Sequence, residues 1–186
     1  MNPEQHWKAE AFAAQISTAK AEVDLVYAGK GHWSASSTGP AGEISLATPG
    51  GESWPRLERL MRVLSAVGIV QAKVRFRGVP PVFASQSTAF ASNTGSAGGL
   101  EQYANVVAFS EKARSPRATV ELEFGRDGLW YVYAFGPDGR HALRPSFGEG
   151  WGRLEGLLQV LAGAGLTEAR VRFEGMPPAV VVEANS

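Results

Sequence analysis

The sequence predicts an α+β protein made of two tandem copies of one small unit, and three observations predict it. Slid along itself by 97 residues, the chain matches at roughly 30 of about 84 positions without a gap. Each half carries alternating apolar and polar runs, the mark of strands with one wet face, and a strongly amphipathic helical run. Between the halves lies an uncharged stretch rich in Ser, Gly, Asn and Thr, which reads as a linker. The repeats are therefore placed at 1–84 and 100–186, with the linker at 85–99.

The shift pairs Val23 with Val120, Leu25 with Leu122, Trp33 with Trp130 and Trp54 with Trp151. It also pairs Arg56-Leu57-Glu58 with Arg153-Leu154-Glu155, and Val74-Arg75-Phe76 with Val171-Arg172-Phe173. Pro80-Pro81 meets Pro177-Pro178.

Each copy opens with a helix. Trp7, Ala11, Phe12 and Ile16 give the apolar stripe in the first, and Val106, Val107, Phe109 and Ala113 a weaker one in the second. A strand follows, in which Val23, Leu25 and Tyr27 (or Val120, Leu122 and Phe124) point one way. Gly29-Lys30-Gly31 and Arg126-Asp127-Gly128 supply hairpin turns with glycine where φ must be positive. The second strand carries Trp33 or Trp130. Gly39-Pro40-Ala41-Gly42 and Gly136-Pro137-Asp138-Gly139 turn the chain into a third strand holding Leu46 or Leu143.

The best helix of each unit comes next, spanning 53–67 in the first copy, with Ser53 as N-cap and Pro55 in the first turn. Leu57, Leu60, Met61, Leu64 and Val67 form its apolar face. In the second copy Gly150 takes the cap position, with Leu154, Leu157, Leu158 and Leu161 on the face. Gly68 and Gly165 end the two helices. A half-buried strand follows at 70–77 or 167–174, and 82–83 and 180–182 are candidates for one more. The unit reads α-βββ-α-β(β), with antiparallel sheets each covered on one face by helices. Two such units are expected to pack as a pseudo-twofold pair, as homodimers do.

Several chemistries are excluded or disfavoured. Eighteen basic residues against 18 acidic ones give no basic excess for nucleic acid. Without cysteine there is no disulfide, thiolate nucleophile or thiolate-bound metal. His6, His32 and His141 fall in no metal-ligand spacing. Glu149 in the glycine-rich run 148–152 is read as complementing a helix dipole. Glu58, Glu155 and the shared arginines Arg56, Arg153, Arg75 and Arg172 read as surface ion pairs rather than a catalytic set. No catalytic, cofactor-binding or metal-binding residues are expected, nor a cofactor, nor an enzyme. No apolar run is long enough to span a bilayer, and residues 1–7 lack the pattern of a signal peptide, so a cytoplasmic location is expected.

The copies differ most along the second strand. Ser34, Ser36 and Thr38 would face outward in the first copy, against Tyr131, Tyr133 and Phe135 in the second. Arg140 and Arg144 join that face if the following loop has four residues; a three-residue loop would turn them away. Aromatics on an outer row suggest contact, either with a partner or with the first copy. The sequence thus points to a non-catalytic protein-binding module, and within that class to an immunity-type inhibitor of a toxin or enzyme. The alternatives are a small-ligand-binding domain with a pocket between the repeats and, by fold analogy alone, a secretion chaperone or adaptor.

Overall fold

The computed structural model describes residues 3–19, 21–39, 42–46, 53–81, 97–145 and 148–180. Among them are four helices and eight strands: α1 (Pro3–Ala19), β1 (Val23–Gly29), β2 (His32–Gly39), β3 (Gly42–Leu46), α2 (Leu57–Ala66), β4 (Gln71–Arg75), α3 (Ala97–Ala113), β5 (Thr119–Phe124), β6 (Trp130–Gly136), β7 (Gly139–Leu143), α4 (Leu154–Gly163) and β8 (Glu168–Arg172). The strands form one mixed sheet in the order β3-β2-β1-β4-β8-β5-β6-β7. Antiparallel sheets were the expectation. The parallel element enters because α2 carries the chain back along the sheet, so β4 arrives beside β1 running the same way.

By its contacts the chain divides into two compact units, Met1–Arg75 with Val171–Ser186, and Phe76–Arg170. In the first unit, Val23, Leu25, Trp33, Ala35, Ser37 and Leu46 are buried, while Asp24, Val26, Ser34 and Ser36 on the opposite face are half-exposed. The period-two alternation therefore sends one row of each strand toward the helices. Leu57, Leu60, Met61 and Leu64 of α2, with Ala9, Phe12 and Ile16 of α1, complete this core. Burying each such leucine contributes roughly 1.5–3 kcal/mol. Trp7, placed by spacing in the α1 stripe, is instead 65% exposed; Ala9 takes the inward position on the helix. The one buried hydroxyl of the inner row, Ser37, is satisfied by donating to the Glu22 carbonyl at 2.8 Å.

The start of α2 differs from the reading that put Ser53 at the cap. Trp54 donates its N–H to the Trp33 carbonyl at 2.6 Å and accepts the Trp33 N–H at 2.7 Å. That exchange holds the backbone extended at Trp54, so the helix starts only at Leu57, with Arg56 as an extended N-cap lacking a side-chain cap bond. Pro55 consequently lies before the helix, and Glu58 supplies the acidic charge of the first turn. At the other end Gly68 adopts φ +81°, and the Ile69 N–H reaches back to the Leu64 carbonyl at 3.0 Å, a Schellman closure.

The second unit has the same strand registers. Val120 faces Ala134 as Val23 faces Ser37, and Val132 faces Leu143 as Ala35 faces Leu46. Trp130 and Trp151 exchange backbone hydrogen bonds at 2.8 Å each, so Arg153, not Gly150, caps α4. Phe124 meets the edge of Trp130 at 5.0 Å and 62°, and Tyr27 meets Trp33 at 5.2 Å and 62°. The segments after β4 and β8 each close the unit to which contacts assign them. Phe173 donates its N–H to Val70 O at 2.8 Å and Ala179 to Arg62 O at 3.0 Å, within the first unit. Phe76 donates to Thr167 O at 2.8 Å, within the second. Most of the linker, 85–96, lies outside the described residues; 97–99 already belong to α3. Of the optional last strands, 82–83 and 181–182 lie outside them too, while Val180 is 76% exposed and in no strand.

Candidate partner-binding face

The outer face of the second unit is built on β6. Trp130, Val132 and Ala134 turn inward and are buried, which obliges Tyr131, Tyr133 and Phe135 to turn outward, where they are half-buried. The β6–β7 connection is a two-residue turn, Pro137-Asp138, closed by the pair Gly136 and Gly139. It is shorter than the four residues anticipated, but it is even as well, so it keeps the same facing. Arg140 pairs with Phe135 and Ala142 with Tyr133 on this face.

The small side chain of Ala142 opposite Tyr133 leaves room that Arg140 fills by folding back. Its guanidinium carbon lies 3.5 Å from the Tyr133 ring centroid and 5.9 Å from that of Phe135. The Tyr133 and Phe135 rings themselves are 6.3 Å apart. Arg144 lies just past the end of β7. Together with Tyr131, Tyr133, Ala142 and Glu149 it lines a cavity of about 240 Å³. On the other flank β5 sets Glu121 opposite Tyr133 and Glu123 opposite Tyr131. The face therefore runs from acids through aromatics to arginines. All five residues singled out from the sequence, Tyr131, Tyr133, Phe135, Arg140 and Arg144, lie on it.

Tyr131 is the most firmly seated. Its hydroxyl donates to the Asp127 carboxylate, which also accepts the Leu129 N–H at 3.2 Å. The hydrogen bond to Asp127 pushes the Tyr131 phenol up to about 12, and the same bond, followed by that from Leu129, holds the Asp127 carboxyl below the usual range. The ring is flanked by two glycines. A Cβ on Gly125 would fall 2.7 Å from Tyr131 Cε2, and one on Gly150 3.2 Å from Tyr131 Cε1. Sequence reasoning missed this slot, although the signal was present. Ninety-seven residues earlier than Gly125, Tyr131 and Gly150, the first unit has Ala28, Ser34 and Ser53. Glu149 was also misassigned: α4 starts at Leu154, so Glu155 occupies its first turn and Glu149 belongs to the aromatic face.

Arg75 pairs with Asp24 through two bonds of 3.1 and 3.2 Å. His32 Nδ1 lies 3.5 Å from the Ser53 carbonyl. Among the described residues there is no group of three or more His, Asp or Glu side chains that could hold a metal ion. None of their helices is long and apolar enough to cross a membrane. No family model matches the chain, and neither a curated protein nor a solved structure matches it.

Proposed function

We propose that this chain is a non-catalytic protein-binding module that arose by tandem duplication, and that its contact face is the outer surface of β6 and β7. The matching registers of the two units support duplication. The outer row of the second strand then diverged: serines and a threonine in one copy, aromatics in the other. The observation that carries the reading is the Tyr131–Tyr133–Phe135 row, half-exposed and topped by a stacked arginine. Tyrosine and arginine are the residue types that dominate binding energy at protein interfaces.

Within that class we favour an immunity-type inhibitor, which acts by covering a toxin or enzyme and needs no chemistry of its own. The pseudo-twofold pairing of the copies belongs to the same proposal. The test compares the wild-type chain with the Tyr131→Ser, Tyr133→Ser, Phe135→Ser variant as baits in source-cell extract. Captured proteins are then purified and titrated against both baits. A partner that binds the wild type and loses at least tenfold in affinity for the folded variant supports the reading. A partner bound equally by both, or a variant that does not fold, overturns it.

A further inference from the structure

A second feature of the second unit lies at the free edge of β7, on the side of the sheet that faces α3. β7 ends the strand order, so no strand adjoins its far side among the described residues. The two-residue turn makes Gly136 and Gly139 a hydrogen-bonded pair, and antiparallel pairs alternate from there. The backbone N–H and C=O groups of Arg140 and Ala142 therefore point away from β6, along the open edge. Beside that edge runs a groove of about 290 Å³, bounded by Phe109 and Lys112 of α3 and by His141, Ala142 and Arg144.

The groove has an apolar floor in the buried Phe109 and a cationic rim. Lys112 is held at one end by Asp138 at 2.8 Å, and Arg144 is exposed at the other. His141 also lines the groove, and its Nε2 is shielded from water with no hydrogen-bond partner among the described residues. The first repeat lacks this chemistry. Where the second has Lys112, Arg140, His141 and Arg144, the first has Gln15, Glu43, Ile44 and Ala47.

We infer that β7 accepts an added strand, an extended acidic peptide segment whose inward side chains enter the α3–β7 groove. Backbone hydrogen bonds to Arg140 and Ala142 fix the register, as in other strand-addition complexes. Alternate side chains of the segment project into the groove, where carboxylates meet Lys112, His141 and Arg144. The basic rim selects the acidic occupant. This site borders the aromatic face and shares Ala142 and Arg144 with it, but Lys112 and His141 belong to the groove alone and allow it to be tested by itself.

The probe is a fluorescein-labelled octapeptide of alternating valine and glutamate, titrated by fluorescence anisotropy against the full chain. Two further peptides are N-methylated on alternate residues, in the two possible phases. The parent peptide is expected to bind and to slow amide exchange at Arg140 and Ala142. One N-methylated phase should abolish binding and the other retain it. Lys112→Gln with His141→Ile, which installs the first repeat's residues, should weaken binding about tenfold. Binding that tolerates both N-methylated phases overturns strand addition, as does absent protection at Arg140 and Ala142. Equal affinity for a valine–lysine peptide, an unchanged affinity in the double variant, or occupation of β7 by a second copy of the chain would overturn the acidic-segment assignment. The Tyr131→Ser, Tyr133→Ser, Phe135→Ser variant should still bind the peptide, so failure here and failure of the aromatic face are told apart.

Discussion

Arg140 lies over the ring of Tyr133, its guanidinium carbon 3.5 Å from the ring centroid. The two residues sit on neighbouring strands but not opposite each other, since Arg140 pairs with Phe135 and Tyr133 with Ala142. The diagonal contact exists because Ala142 is too small to block it. It leaves the arginine's edge available for a partner's carboxylate while its face is held by the ring.

Arg140→Ala should therefore cost about 0.5–1 kcal/mol of stability, the usual size of an exposed cation–π contact. Arg140→Lys should recover the charge but not the planar stack. Urea unfolding of the three proteins checks this. Equal stability of the wild type and Arg140→Ala would show that the contact contributes nothing.

Gly125→Ala should destabilise by roughly 1–3 kcal/mol, because the new methyl meets the Tyr131 ring and Asp127. With Tyr131→Ser in place the same change should be far milder, since the first unit combines Ala28 with Ser34 in the matching strand register. A double-mutant cycle measures the coupling. Additive effects would mean that the glycine serves only the turn.

Tyr131 should ionise only near pH 12, because ionising it breaks the hydrogen bond to an already negative Asp127. Its folded value is raised, so its contribution to stability is complete below about pH 10 and fades as the pH climbs toward about 12. Asp127 works in the opposite sense. Its folded value is lowered, so its contribution is present above about pH 4 and is lost as the pH falls through that lower value. Ultraviolet titration of tyrosinate in the wild type and in Asp127→Asn should show the late phenol moving earlier in the variant. A wild type whose tyrosines all ionise together near the ordinary value would contradict the assignment.

Swapping the outer row to serine should lower the melting temperature without preventing folding, since the first unit folds with Ser34 and Ser36 in those places. Differential scanning calorimetry reads this. By contrast, Leu157→Ala in the fully buried face of α4 should cost about 2–5 kcal/mol.

Much of this was legible in the sequence. Alternation gave the inner and outer rows of β2 and β6, because a strand's period of two leaves no freedom once Trp33 and Trp130 are inside. The glycines ending α2 and α4 were legible because a left-handed residue after a helix selects glycine. The helix starts were not, since Ser53 has cap chemistry but Trp54 is bound to a strand far away in sequence. The closing of the first unit by residues 171–180 was hidden as well: a self-match of the sequence shows which residues correspond, not which unit each tail completes. In the candidate face, the aromatic row was readable, but its glycine slot needed the three-dimensional approach of residues 125, 131 and 150.

The proposed face is tested most directly by site-specific photocrosslinking in source cells, with a benzophenone amino acid placed at position 133 in one chain and at position 36 in another. These outer positions match in strand register: Tyr133 faces Glu121 in the second unit as Ser36 faces Asp24 in the first. An adduct with a single protein from position 133 and none from position 36 is the predicted result. Adducts from position 36 alone, the same adducts from both, or none from either would contradict a partner-binding role for the Tyr131–Tyr133–Phe135 row.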